Sequence, residues 1–430
     1  MSTPRRPSAT KRRLTESPLW KTLGPGVVMA GAAVGVSHLV QSTRAGAEYG
    51  YLLLGVILLT CLFKYPFLEF GPRYAAATGE SLVTGYRRMG RWVLWAFMGV
   101  TVGTMFVIQA SVTLVTAGIA GHMFGTFLSP FQWSALILLV CGVILVAGRY
   151  RALDRTMKAI MAVLAILTVA AVVMGLAVSP GVAPDFARPD IWTGAGIAFV
   201  IALMGWMPIP LDVAVWHSLW TLERRDESGH PPSIGDAVTD FNLGYVAATI
   251  MAVLFLVLGA TVMYGTGEPT PEGGVAFAAR LIELFEASLG GWSAGVIGAA
   301  ALVTMFSTTL AVTDGFPRVL GALAREFRGG PGAGPRSSRA WELAGLVLIV
   351  GGALLVLSVM SERFTQLIDA TTTFSFLTTP LLAAFNLRLL TGPHTPAAAR
   401  PPGWLVGLAW SGLVFLLGFC TLFVYGRFLM

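Results

Sequence analysis

Charge is scarce in this chain. Asp, Glu, Lys and Arg supply only 12% of its 430 residues, while hydrophobic types supply 55%. An ordinary soluble domain carries about a quarter charged residues, so the composition is that of an integral membrane protein. Cysteine is also rare: Cys61, Cys141 and Cys420 lie far apart inside apolar stretches. That spacing matches no metal site, and small buried hydrophobes is the reading it favours. No glycine loop ends in Lys-Ser or Lys-Thr, which argues against transport driven by an ATPase of its own. No nucleophile–base pair or HExxH-like spacing is present, so no enzyme and no cofactor is expected. The net charge of +7 is not a nucleic-acid signal. Its basic residues sit in short loops between hydrophobic stretches, where they set orientation in a bilayer.

What fills the chain is a series of apolar segments of the length a bilayer requires, about 20 residues. They fall at 24–48, 50–72, 92–120, 132–149, 155–178, 190–222, 240–264, 292–317, 340–360, 363–390 and 403–427. Eleven transmembrane helices are therefore expected. Most Lys and Arg then fall on one side, among them Arg5, Arg6, Arg87, Arg88, Arg151, Arg224, Arg225, Arg325 and Arg328. The positive-inside rule gives a cytoplasmic N-terminus and an outer C-terminus. The expected location is an inner (plasma) membrane of the bacterial type. Residues 1–20 read as a disordered basic tail. A cleavable signal peptide is rejected there, because the orientation count needs the first span to remain. Within 266–291, Leu281, Ile282, Phe285 and Leu289 recur at helical spacing opposite Arg280, Glu283 and Glu286. This predicts an amphipathic helix on the outer surface. Residues 329–338 and 391–402 read as Gly/Pro-rich linkers.

Two spans are interrupted. The first carries Gly31, Gly35, Ser37 and His38 at mid-depth, followed by Gln41, Arg44 and Glu48. The sixth contains Met207-Pro208-Ile209-Pro210, where two prolines within three residues remove backbone donors and open the helix. Backbone can be irregular at membrane depth only where it lines a cavity or is buried in protein. Five spans separate the two breaks, and an odd repeat length forces the second copy to be inverted. The expected architecture is all-α, a five-plus-five inverted repeat with broken first and sixth helices, of the amino-acid–polyamine–cation transporter type. The core would be 21–390, divided into 21–178 and 190–390, with 403–430 as an additional helix.

The residues also resemble a family. LGPGVVMAG opening the first span and RAGAEYGY closing it resemble the NRAMP (natural resistance-associated macrophage protein) divalent-metal transporters. Those read GPG, then Asp-Pro-Gly-Asn, then QAGAQFGY. Arg73 with Ala77–Gly79, Met207-Pro208, the SST-like Ser307–Thr309 and Pro380 continue the likeness. With the segments aligned on AGA, the family's Asp-Pro-Gly-Asn falls on Gly35-Val36-Ser37-His38. Its His-Asn-Leu after Met-Pro becomes Ile209-Pro210-Leu211. Its third-span carboxylates have no counterpart between Trp92 and Gly121. The resemblance therefore implies a divergent branch that keeps the fold and lacks the usual metal motif.

The substrate-binding candidates are Gly35, Ser37, His38, Met207, Pro208, Asp212 and Thr373. Of these, His38, Met207 and Asp212 are the possible metal ligands. An imidazole can ligate a metal or hold a proton, or simply brace the unwound backbone. Met207 is a soft thioether at the family's metal-contacting position, though a Met in a span is more often packing. Gly31 and Gly35 read equally as close helix packing. Asp212 follows an apolar run, where an ionisable group costs about 2.5–3.5 kcal/mol on insertion scales and is functional by default. A salt bridge or a helix cap at the start of the second half is its structural alternative. Arg44, Glu48, Lys64 and His217 are the gating or coupling candidates. Lys64 could snorkel, neutralise a carboxylate such as Asp212 or Asp369, or replace a coupling ion.

By resemblance the expected function is secondary transport of a divalent metal ion across the membrane, with protons as the candidate coupling ion. The expected partners are the lipid bilayer and the transported solute. A transporter of another solute on the same fold (magnesium, an anion or a small organic molecule) is the first alternative. A non-transporting membrane receptor is the second.

Overall fold

The computed structural model describes residues 24–147, 150–178, 186, 189–266, 271, 273–328 and 335–428. The basic tail expected at 1–20 and the 329–334 part of the first linker lie outside them. The second linker, 391–402, carries one short 3-10 turn at Ala397–Ala399.

The described residues are helical, with no strand among them. The first expected span is two helices, α1 (Pro25–Ala33) and α2 (Thr43–Tyr49), joined by a π-helical turn at Val36–Ser42. α3 (Leu54–Thr78), the short α4 (Leu82–Met89), α5 (Arg91–Phe124), α6 (Pro130–Val146) and α7 (Tyr150–Val178) follow. The sixth expected span is again two pieces, α8 (Gly194–Gly205) and α9 (Val213–Ser228). The chain continues through α10 (Ile234–Val262), α11 (Gly274–Leu289), α12 (Ser293–Phe327), α13 (Pro335–Met360), α14 (Phe364–Thr391) and α15 (Gly403–Phe428).

Eight of these helical units are long and apolar enough to cross a membrane, counting α1 and α2 as one. The fourth, fifth and sixth of the eleven expected spans hold shorter apolar helices. Val347, Leu355 and Val359 on α13 are more than two-thirds exposed. Apolar side chains presented so fully are what a lipid-facing helix shows.

Burial separates the centre from the rim. The first span is 78% buried, whereas 340–360 and 403–426 are each 22% buried. The first span is thus the axis around which the others pack. α1 and α2 lie against α10, α8 against α14, and α9 against α3. These contacts follow from small residues: a Cβ on Gly205 would sit 1.9 Å from the Thr372 carbonyl oxygen, so α8 and α14 can meet only because Gly205 has none.

Two elements differ from expectation. α4 fills a stretch between the second and third spans that carried no apolar period long enough to cross. It is capped by Ser81, whose hydroxyl accepts from the Thr84 N–H. The amphipathic helix is present as α11, but Leu281, Ile282 and Phe285 are buried against protein. Its apolar face packs on α5, α7 and α12, while Arg280 pairs with Glu283 at 3.1 Å on the other face.

Candidate functional site

The first break is organised by Gly35. Its backbone (φ −131°, ψ −129°) lies outside the helical region, and a Cβ there would come within 2.8 Å of the Thr308 side chain on α12. Thr308 Oγ1 in turn donates to the Gly31 carbonyl at 3.1 Å. Side-chain hydroxyls add hydrogen bonds to the carbonyls of the unwound turn. Ser37 Oγ donates to the Ala33 oxygen at 2.7 Å, Ser42 Oγ to the Ser37 oxygen at 3.2 Å and Thr43 Oγ1 to the His38 oxygen at 3.5 Å. π-turns inside helices gather at functional sites for this reason, since they re-aim side chains.

The second break runs from Trp206 to Asp212 and includes a cis Met207-Pro208 peptide. Met204 would bond in a helix to the N–H of position 208, which proline lacks. The N–H groups of Trp206 and Met207 turn back to the Met204 oxygen, and the ammonium of Lys64, reaching from α3, adds a further donor. Its Nζ lies 3.3 Å from the Met204 oxygen, 3.0 Å from Gly205 and 2.9 Å from Ile209. Lys64 is fully buried, so it does not snorkel.

A small cavity opens between the breaks. Ser37 and Val36 line it from the first break, and Trp206, Ile209, Pro210 and Asp212 from the second. Ile108 on α5, Thr308 on α12 and Trp216 on α9 complete its wall. Asp212 is 7% exposed, and neither of its carboxylate oxygens has a hydrogen-bond partner among the described residues. It stands at the N-cap position of α9 without a side-chain capping bond, though the backbone N–H groups of Asp212 and Val213 lie close enough to favour its charge. A buried carboxylate on a cavity wall with no side-chain partner calls for an explanation.

Apart from Ser37, the other candidates are not gathered there. His38 Nε2 donates to the Ala248 carbonyl of α10 at 2.8 Å, and its Nδ1 meets Ser37 Oγ at 2.8 Å. Both ring nitrogens are thereby committed to protein, and His38 is absent from the cavity wall beside Asp212. Met207 is fully buried with its sulfur 4.0 Å from Ser42 Oγ; it too is off the wall. Thr373 is half-buried, while its neighbour Thr372 turns inward and accepts from Gln41 at 3.3 Å. His217 is buried against Phe241 with no hydrogen-bond partner on either nitrogen among the described residues. Among the described residues no three His, Cys, Asp or Glu side chains converge as a metal site.

On the α2 side of the first break, Arg44 forms a bidentate pair with Asp369 of α14, at 2.7 and 3.4 Å. Gln41 donates to the same carboxylate at 3.1 Å, and Glu48 lies 3.4 Å from Arg44 Nε. The guanidinium also sits 5.0 Å over the Phe199 ring of α8. On the α1 side, Asp240 of α10 accepts from the N–H groups of Gly24 at 3.0 Å and Gly26 at 2.6 Å. That contact had a sequence signal, a carboxylate near the start of the seventh span, but nothing to say what it faced. Asp314 pairs with Arg318 at 2.6 Å, and Arg318 with Glu223 at 2.7 Å; Asp314 is therefore a partner in an ion-pair chain.

Two opposed helix breaks with a cavity and a buried carboxylate between them are an arrangement suited to a multi-pass membrane transporter. The model of the natural resistance-associated macrophage protein-like (Nramp) family matches residues 26–426, and the chain belongs to that family. It is 37% identical to an uncharacterized protein of Pasteurella multocida, over 94% of this chain and 91% of that one. It is 26% identical to the divalent metal cation transporter MntH of Lacticaseibacillus casei, over 72% of this chain and 68% of that one. The fold resembles that of the Eremococcus coleocola manganese transporter, seen in the crystal structure of one of its mutants. The TM-score is 0.70 at 15% identity, over 99% of this chain and 91% of that one.

Proposed function

We propose that this protein is a secondary transporter that carries a divalent metal ion through the cavity between the two breaks, with Asp212 as its charged ligand. The observation that carries this reading is the Asp212 carboxylate, buried and unpartnered on the cavity wall. The relatives named as divalent-metal and manganese transporters support it. The binding site is non-standard, because Gly35-Val36-Ser37-His38 stands where the family motif is expected. One carboxylate, the Ser37 hydroxyl and the opened backbone are hard oxygen donors. They are too few to replace a full hydration shell, and the cavity leaves room for water. Such a site suits a cation that keeps several of its waters, as magnesium or manganese does. The soft ligand Met207 lies off this wall, which weighs against a softer metal.

In this reading Gly35, Ser37 and His38 shape the first break and Pro208 the second. Arg44, Gln41 and Asp369 close the α2 side as a gate, and Asp240 latches the α1 side. The halves 21–178 and 190–390 move against each other around the cavity, and α15 stands outside them. The protein lies in an inner membrane with its N-terminus in the cytoplasm and its C-terminus outside. Protons are the proposed coupling ion, with His217 as a carrier close to the second break.

A second reading is favoured by Trp206 and Trp216, which make much of the cavity wall aromatic. A small organic solute would use that surface, whereas a hydrated ion would not. Uptake into proteoliposomes separates the two. Manganese or magnesium flux that disappears in Asp212→Asn, with internal pH following the metal, is the expected result. Saturable flux of an organic cation with no metal flux would replace the first reading by the second.

A further inference from the structure

Lys64 holds a position that the transport reading does not use. Its ammonium is fully buried, and its three protons meet three carbonyl oxygens, those of Met204, Gly205 and Ile209. Two of these belong to the last turn of α8, at the negative end of the helix dipole. The third lies inside the break, one residue past Pro208. One cation therefore ties the end of α8 to the middle of the interruption. Three backbone oxygens converging at about hydrogen-bond distance are also what a small inorganic cation seeks. Asp212, three residues past Ile209, forms no hydrogen bond with Lys64, so the ammonium does not cap the carboxylate.

We propose that Lys64 is a tethered cation, covalently supplied from α3, that fills a monovalent-cation cradle at the second break. It makes the break's geometry, and with it the pose of Asp212, independent of any alkali coupling ion. The chain carries this cation permanently, so the cradle is occupied throughout the transport cycle. Lys64 is a positioning residue; its ammonium is satisfied by backbone and does not have to touch the solute. The inference rests on the reading of the Asp212 cavity as the transport site only for its effect on uptake. Occupancy of the cradle itself can be read without transport.

Truncation to Lys64→Ala leaves the cradle empty, with a channel as long as the missing three carbons and nitrogen. n-Propylammonium is the matching free cation. Purified Lys64→Ala should gain thermal stability with n-propylammonium chloride while the wild-type protein does not, as expected when a ligand binds the native state alone. In proteoliposomes its uptake should fall about tenfold or more, the size expected when a buried hydrogen-bonded charge is lost. Propylammonium should restore part of that uptake, and tetramethylammonium, which has no N–H, should not. Wild-type uptake should be the same with sodium, potassium or choline as the bulk cation. Sodium-dependent wild-type uptake would overturn the proposal, and so would a Lys64→Met variant with wild-type stability and uptake. That wild-type measurement stands even if the alanine variant fails to fold. Propylammonium stabilisation of Lys64→Ala with no metal flux in either protein would uphold the cradle and reject the metal-transport reading instead.

Discussion

Arg44 and Asp369 are 325 positions apart in sequence and 2.7 Å apart in space, joining the second half of the broken first span to α14. The pair is asymmetric in burial: the Arg44 side chain is 8% exposed and that of Asp369 35%. Partial solvation of the carboxylate limits what the pair contributes, since exposed ion pairs are worth only about 0–1 kcal/mol. Stacking of the guanidinium on Phe199 adds a contact on α8 that a lysine would make less well. A gate needs such a contact, strong enough to hold and weak enough to release.

Asp369→Asn should therefore shift the balance toward a state open on that side by about threefold to fivefold, as expected for the loss of up to ~1 kcal/mol. Labelling of Thr372→Cys by a membrane-impermeant thiol reagent added outside measures this. Unchanged labelling in Asp369→Asn and in Arg44→Lys would show that the pair is decoration on a closed surface. Loss of the salt bridge should matter less at high ionic strength than the loss of Phe199, because screening weakens the former only.

Asp212→Asn keeps the shape of the side chain and removes its charge. Metal uptake should fall about a hundredfold, the scale seen when the charged partner of a desolvated ligand is lost. Met207→Leu should leave uptake within about twofold, because a volume-conserving swap in the core costs little and the thioether is off the cavity wall. The two variants are informative together. Equal loss in both would mean that the second break rearranges to present its sulfur, and that the cavity as described is not the bound state.

Much of this architecture was legible because its causes are local. Pro208 and Pro210 cannot donate, Gly35 has no side chain to block a close approach, and Asp212 is a lone carboxylate after an apolar run. Each property belongs to one residue and needs no partner to be read. What stayed hidden depends on direction. His38 and Met207 occupy the two breaks, but which way a side chain turns at a non-helical residue is fixed by the surrounding packing. One faces Ala248 and the other Ser42. Thr373 missed by a single position, since one step on a helix is about 100° of rotation and Thr372 has the inward phase. Lys64 was visible as a buried cation, but its acceptors are carbonyls, and sequence does not name them. α4 went unseen because it is too short to cross a bilayer.

Gly35→Ala tests the close approach that fixes the first break. The added methyl would lie 2.8 Å from the Thr308 side chain, and overpacking of that kind costs about 1–3 kcal/mol. Thermal unfolding in detergent should show a clear fall in Tm. Combining it with Thr308→Ala should recover part of the loss, giving a coupling between the two sites in a double-mutant cycle. Additive effects would mean that Gly35 is needed for backbone conformation alone.

Asp240→Ala tests the contact at the opposite end of α1. Its carboxylate accepts from two N–H groups of the first turn, Gly24 and Gly26, across 214 positions or more. Pro25 between them has no N–H to offer, so one carboxylate serves the donors on either side of it. Loss of a helix cap costs about 0.5–2 kcal/mol, which here would go into freeing α1 from α10. Amide exchange at 24–28 should quicken about tenfold while exchange in α10 beyond Gly244 stays unchanged, as a loss of ~1.4 kcal/mol at one helix end predicts. In transport, the variant should lose affinity for solute on the α1 side more than on the α2 side, because only the latch on that side has been weakened. Asp240→Asn, which keeps an acceptor oxygen, should restore one of the two bonds and fall between wild type and alanine. Faster exchange spread evenly over the whole first span would instead mean that Asp240 supports the fold of α1 and α2 together and is no latch.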